Sequence, residues 1–171
     1  KTLKEDLSRR DFTINAMALN IDNQVIDYFD GKHDLESKFI RCVGNPKTRF
    51  IEDPLRMLRA VRFACKYNFN IETNTYNAIK ECSTEINKIS FERIRNELNQ
   101  ILIYNPDDGI NLLHSTGLLK EFLPEVDGLE EVSQKSKWHY TDVYHHTLDA
   151  LKYTKQYESK LNDKKLLKPK N

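Results

Sequence analysis

The pattern of apolar and polar positions changes character at Pro46. Before it, residues 3–19 (LKEDLSRRDFTINAMAL) read as a helix that turns into extended chain. The segment ALNIDNQVIDYFDG carries two short β-prone pieces around the turn-former IDNQ and predicts a hairpin. HDLESKFIRCVGNP predicts a short helix, a strand at FIRCV and a Gly-Asn-Pro stop. After Pro46 the spacing predicts helices over about 49–67, 73–88, 91–103, 107–115, 117–123 and 141–157, with no further strand. Thr73 and Ser90 stand where N-caps belong, and Pro106 and Pro124 fall at breaks. The end, NDKKLLKPKN, is basic and polar without a core signal.

The fold class expected is therefore mainly α: a small αβ remnant of hairpin plus strand, then an all-helical part. A hairpin and one strand are too little sheet to stand alone, so the first part reads as the second half of a domain.

Composition adds bounds. The 171 residues, 39% hydrophobic and 31% charged, suit one or two soluble globular domains. No apolar run approaches the roughly 18–20 residues of a membrane span, and KTLKEDLSRRD carries no apolar signal core. The chain does not start with Met and is expected to be a piece of something longer. Three cysteines, Cys42, Cys65 and Cys82, without a Cys-x-x-Cys argue against a zinc ribbon or disulfide framework and for a reducing cytoplasm. Net charge is +1, distributed as +3 over residues 1–66, −5 over 67–129 and +3 over 130–171, so an anionic partner needs a local patch.

One such patch is RFIEDPLRMLRAVRF, residues 49–63, with four arginines in fifteen positions. Taking 53–64 as a helix at about 100° per residue, Met57, Leu58, Val61 and Ala64 share a core face. Arg56, Arg59 and Arg62 lie on the other side, each stepped about 60° from the last, and Asp53 continues the progression. Pro54 suits the first helical turn, with Asp53 as its N-cap. The bland reading is a capped surface helix whose arginines pair with acids of neighbouring helices. The alternative is a hydrogen-bonding edge, because a carboxylate only accepts and a guanidinium only donates. Asp53 beside Arg56 matches the amino donor and ring-nitrogen acceptor of cytosine and adenine and mismatches guanine and uracil. A well-made bidentate pair discriminates by roughly 1–3 kcal/mol. Arg59 and Arg62 would remain for phosphate oxygens. Arg49 lies before the cap and receives no role.

A second constellation is RRDFTINAMA, residues 9–18. Phe12, Ile14 and Met17 are expected in the core. Arg10 reads as a phosphate or sugar ligand and Asp11 as a ribose-hydroxyl acceptor, with Asn15 one helical turn later, against the alternative of a surface ion cluster.

EDLSRRDFTINAMAL, IDYFDG, IRCVGNPKTRFIEDPLRMLRAVRFA and ISFERIRNEL together resemble successive motifs of the class II tRNA nucleotidyltransferases, the bacterial CCA-adding enzymes and their poly(A) polymerase relatives. The resemblance implies the end of a palm-like catalytic head over 1–46, a helical neck over 47–126 and the start of a helical body over 127–171. It places the protein-template pair on Asp53 and Arg56, nucleotide-binding arginines on Arg10, Arg59 and Arg62, and sugar recognition on Asp11 and Asn15. Asp27 to Gly31 match a flexible motif, although Tyr28 stands where proline is usual and Asp30 also departs. Glu92 and Arg93 match a neck motif of structural character. The implied activity adds C and A from CTP and ATP to tRNA 3′ ends, with Mg²⁺ and no nucleic-acid template. A poly(A) polymerase or A-adding enzyme of the same family would share these residues, and a helical RNA-binding module without catalysis is the rival from another class.

Nucleotidyl transfer is an in-line displacement assisted by two metals. The family supplies their carboxylates as Asp-x-Asp after Gly-Ser, and no Asp-x-Asp occurs in this sequence. Asp34-x-Glu36 and Glu125-x-Asp127 come nearest and read as helix-start or loop acids. No catalytic or metal residue is therefore assigned, and the 171 residues alone are expected to recognise a nucleotide without transferring it. WHYTDVYHHTLDAL, residues 138–151, resembles the first helix of an HD-type phosphohydrolase with His146 as first ligand, but the later His-Asp dyad is not in the sequence. His139, His145 and His146 are read as helix and turn histidines without metal. The sequence leaves the oligomeric state open.

Overall fold

The computed structural model describes residues 2–131, 146–154 and 157. Helix α1 (Leu3–Ser8) opens on a capping box between Thr2 and Glu5. A 3₁₀ turn (Thr13–Asn15) leads into the antiparallel hairpin β1 (Met17–Leu19) and β2 (Val25–Asp27), paired Met17 to Asp27 and Leu19 to Val25. Helix α2 (Gly31–Glu36) and strand β3 (Phe39–Ile40) follow. Gly31 packs so tightly that a Cβ would stand 2.2 Å from the Thr13 carbonyl oxygen, so no larger residue fits there.

The helical part comprises α3 (Pro46–Glu52), α4 (Leu55–Tyr67), α5 (Thr73–Cys82), α6 (Phe91–Tyr104), α7 (Pro106–Ser115), α8 (Leu119–Phe122) and α9 (Pro124–Asp127). Residues 146–154 are helical, which agrees with the end of the helix expected over 141–157; residues 141–145 and the histidines His139 and His145 lie outside the described residues. The hairpin, the strand at 39–40 and the mainly helical character are as expected.

Five details differ from the sequence reading, one being that the helix expected over 73–88 ends at Cys82 and gives way to a 3₁₀ helix (Ser83–Lys88). The helix expected over 49–67 is two helices, because Pro54 disfavours helical dihedrals at the residue before it and Asp53 is extended at φ −145°, ψ 95°. A strand absent from the reading, β4 (Asn70–Ile71), pairs in parallel with β3. Two residues are too short to show periodicity, and their partner lies thirty-one positions upstream. Residues 9–11 follow α1 in a turn rather than continuing a helix. The cap of α5 is Glu72, one residue before Thr73, whereas Ser90 does precede α6.

Helix α4 is the centre of the core. Leu55, Met57, Leu58, Ala60, Val61, Ala64 and Cys65 are buried along it, against α6, α7 and both strands β3 and β4. Each large side chain so buried contributes about 1.5–3 kcal/mol. Phe12, Phe50, Ile79, Ile101 and Leu113 complete the same cluster. The face of α4 that carries the arginines is thus held in place by the face that does not.

Glu72 gives the fold a pH response. Burial pushes its carboxyl up, but the N–H groups of Asn74 and Thr75 and the Thr75 hydroxyl outweigh it and bring it below the ordinary 4.5. The folded chain therefore binds this proton less readily than the unfolded chain. The cap's contribution is full above about 4.5 and is lost as pH falls through the lowered folded value. Urea unfolding measured from pH 6 down to pH 3 should show stability falling, and Glu72→Gln should flatten that fall; an equal fall in the variant would contradict it.

Candidate functional site

The arginines of α4 converge on acids from two other segments. Asp11, in the turn after α1, accepts from Arg56 Nε through Oδ1 at 2.9 Å and from Arg59 Nε through Oδ2 at 2.7 Å. Glu97 of α6 accepts from Arg62 Nε at 2.6 Å and stands 4.0 Å from Arg59 Nη1. Glu52, the last residue of α3, accepts from Arg49 Nη1 at 2.7 Å and from Arg56 Nη1 at 3.4 Å. Four guanidiniums thus share three carboxylates and leave one positive charge in excess. The cluster is half-buried: the Arg56, Arg62, Asp11 and Glu97 side chains retain between 13% and 15% of their exposure, Arg59 33%. In such surroundings charge-assisted pairs are stronger than on an open surface, and each arginine orients its neighbour.

Asp53 and Arg56 sit at the break between α3 and α4, one turn apart. The Asp53 carbonyl accepts from the Arg56 N–H at 3.1 Å. Asp53 Oδ1 accepts from the Leu55 N–H at 3.3 Å and lies 3.9 Å from Arg93 Nη2. Arg56 spends Nε on Asp11 and Nη1 on Glu52 and on the Arg49 carbonyl at 3.0 Å. The hydrogen bonds of these two side chains run through Asp53 Oδ1 and through Arg56 Nε and Nη1. Both side chains are thus anchored at the same break, Asp53 toward the start of α4 and Arg93, and Arg56 toward Asp11 and Glu52.

The remaining candidates take other positions. Arg10 is half exposed, with Nη1 3.5 Å from the Asn15 carbonyl and Nη2 3.8 Å from Asp6. The Asn15 side chain closes the 3₁₀ turn by accepting from the Phe12 N–H at 3.2 Å. Asp27 accepts from the N–H groups of Phe29, Gly31 and Lys32, and these bonds, against a burial effect in the other direction, hold its carboxyl below the ordinary range. Asp34 lies inside α2, fully buried, taking the Thr13 hydroxyl at 2.6 Å and Arg41 Nε through both oxygens. It is a packing element that ties α2 to β3. His146 is exposed. Burial pushes the Cys42 thiol up to about 11, which suits packing and not nucleophilic attack. Among the described residues no group of three or more His, Cys, Asp or Glu could hold a metal ion. The described residues do not supply the carboxylates that the two metals of nucleotidyl transfer need.

Two residues escaped the sequence reading. Glu97 is the counter-ion of Arg62, thirty-five positions away; its only local trace is an acid within RNEL. Arg49 donates Nη2 to the carbonyls of Arg9 and Arg10 at 2.6 and 3.0 Å. Its spacing of three from Glu52 was visible, but not its contact across forty residues.

Residues 1–41 match the family described as "Poly A polymerase head domain", and residues 68–129 the one described as "Probable RNA and SrmB- binding site of polymerase A". The CCA-adding enzyme of Limosilactobacillus reuteri is 46% identical over 144 residues, covering 81% of this chain and 36% of that protein. The chain thus spans about a third of the length of the curated relatives it matches. Among solved structures, the Bacillus stearothermophilus CCA-adding enzyme in complex with CTP superposes with a TM-score of 0.67 at 39% identity, over 69% of this chain and 30% of that one. The Thermotoga maritima CCA-adding enzyme complexed with tRNA-CCA also gives a TM-score of 0.67, at 36% identity, over 76% of this chain and 34% of that one.

Proposed function

The chain belongs to the nucleotidyltransferase family of the CCA-adding enzymes and poly(A) polymerases, and from that premise we propose that its protein adds C and A, from CTP and ATP, to the 3′ end of tRNA. The observation that carries this reading is the Asp53 and Arg56 pair at the α3–α4 break, one turn apart and anchored through Asp53 Oδ1 and through Arg56 Nε and Nη1. Asp53 Oδ2 accepts from the exocyclic amino group of cytosine or adenine, and Arg56 Nη2 donates to the adjacent ring nitrogen. Guanine and uracil present a carbonyl and a ring N–H there, which leaves acceptor against acceptor and donor against donor. Selection by the protein edge makes a nucleic-acid template unnecessary.

Arg59, Arg62 and Arg10 take the phosphates. Arg59 and Arg62 are held by Asp11 and Glu97 without being neutralised in full. Asp11 and Asn15 lie on the turn that faces the sugar; both Asp11 oxygens already accept from arginines, and a carboxylate has lone pairs for a further ribose hydroxyl. Mg²⁺ belongs to the complete reaction. The division into head (1–46), neck (47–126) and body (127–171) is part of the same reading, as is a cytoplasmic setting; no helix of the described residues is long and apolar enough to cross a membrane.

The test uses the full-length protein, tRNA lacking its 3′ CCA, Mg²⁺ and each nucleoside triphosphate alone and combined. The expected result is incorporation of C and then A, with neither U nor G. Addition of A alone would assign the protein to the A-adding or poly(A) branch. Incorporation of U or G at a comparable rate would overturn the reading.

A further inference from the structure

We propose that Arg49 is a positioning residue for the base-reading edge, a proposal that rests on the role given above to Asp53 and Arg56. Arg49 touches both parts of the site at once. Its side chain holds the 9–11 turn: Nη2 donates to the Arg9 carbonyl at 2.6 Å and to the Arg10 carbonyl at 3.0 Å, the two residues just before Asp11. Its main chain holds the template pair: the Arg49 carbonyl accepts from Arg56 Nη1 at 3.0 Å and from the Asp53 N–H at 3.2 Å. Nη1 is fixed in turn by Glu52 at 2.7 Å, and Glu52 also meets Arg56.

Arg49 keeps 14% of its side-chain exposure, and its Nε is buried without a hydrogen-bond partner. The guanidinium therefore holds its place although one donor goes unused, and both terminal nitrogens go to the joint between the 9–11 turn and α3. Asp11 then stands where it receives Arg56 Nε and Arg59 Nε, and with Nη1 also held the direction of the Arg56 guanidinium is set. Arg49 acts through Asp11 and Arg56 and touches no nucleotide itself. A lysine keeps the charge, but its single ammonium lacks the planar fork that spans two carbonyls and a carboxylate.

The experiment titrates CTP, UTP, ATP, GTP and inorganic tripolyphosphate against the full-length protein, as wild type, Arg49→Lys and Glu52→Gln, with circular dichroism as the fold control. The CTP-over-UTP and ATP-over-GTP affinity ratios should fall by about tenfold in Arg49→Lys, the size of one lost base contact, and by less in Glu52→Gln. Tripolyphosphate affinity should change little. A folded Arg49→Lys with wild-type ratios would overturn the proposal. So would a uniform weakening of all five probes, the mark of a structural role alone. If Arg49→Lys does not fold, Glu52→Gln decides by the same criterion. A wild type without preference among the four nucleotides would remove the base-reading role itself and this proposal with it, whereas a selective wild type with equally selective variants would remove only the role of Arg49.

Discussion

Replacing Asp11 with alanine should loosen the fold and weaken nucleotide binding together. Asp11 is the one carboxylate that Arg56 and Arg59 share, at 2.9 and 2.7 Å, and it retains only 15% of its side-chain exposure. Removing one partner of a fully buried pair costs about 3–5 kcal/mol, because the remaining charge is left without compensation. Here Arg59 keeps a third of its exposure and can turn to solvent, so the expected loss is about 2–3 kcal/mol. Arg56 remains tethered to Glu52 and the Arg49 carbonyl but loses the bond that fixes its Nε. Urea denaturation should show a lower midpoint at unchanged slope, and CTP and ATP should bind more weakly in the range where the variant is folded. An unchanged midpoint would mean that Arg56 and Arg59 are held by other means.

Arg56→Ala should collapse selectivity. The alanine removes the donor opposite the ring nitrogen of cytosine and adenine while Asp53 keeps its bond to the Leu55 N–H. A lost bidentate contact is worth roughly 1–3 kcal/mol, or about 5- to 150-fold. CTP and ATP affinities should fall by that factor, and UTP and GTP, which never gained from the contact, should change little. Arg59→Ala supplies the contrast, since a phosphate contact is common to all four nucleotides and its loss weakens them alike. Isothermal titration of both variants separates the two roles. Equal loss of all four nucleotides in Arg56→Ala would reassign Arg56 to the phosphates.

The parts of this molecule legible in the sequence are those set by local periodicity. Met57, Leu58, Val61 and Ala64 fall on one face by helical spacing alone and are all buried. The arginines fall on the opposite face by the same rule. What the spacing does not contain is the partner across space. Glu97 meets Arg62 from another helix, and Arg49 meets the carbonyls of Arg9 and Arg10 in the turn after α1. Strand β4 is defined by β3 and not by its own two residues. The sequence places Pro54 in the first helical turn with Asp53 as N-cap, but Pro54 is itself the N-cap of α4 and Asp53 is the extended C-cap of α3, because the ring ends the preceding helix at Glu52 and turns Asp53 out of it. That break is why Asp53 and Arg56 stand at a corner between two helices, instead of midway along one continuous surface helix.

The bland reading of the comb, arginines paired with acids from neighbouring segments, is also what the structure contains: Arg59 and Arg62 are paired. Pairing and function are compatible here because the same bonds that satisfy Nε of each arginine fix the direction of the rest of its guanidinium. The acids act as struts for the guanidiniums.

The most direct measurement of the central claim is the affinity of the full-length wild-type protein for CTP, ATP, UTP and GTP under one set of conditions. A base-reading edge made by Asp53 and Arg56 gives CTP and ATP affinities about tenfold or more above those of UTP and GTP. Equal affinity for all four would contradict it and leave the arginine face as a phosphate-binding surface alone.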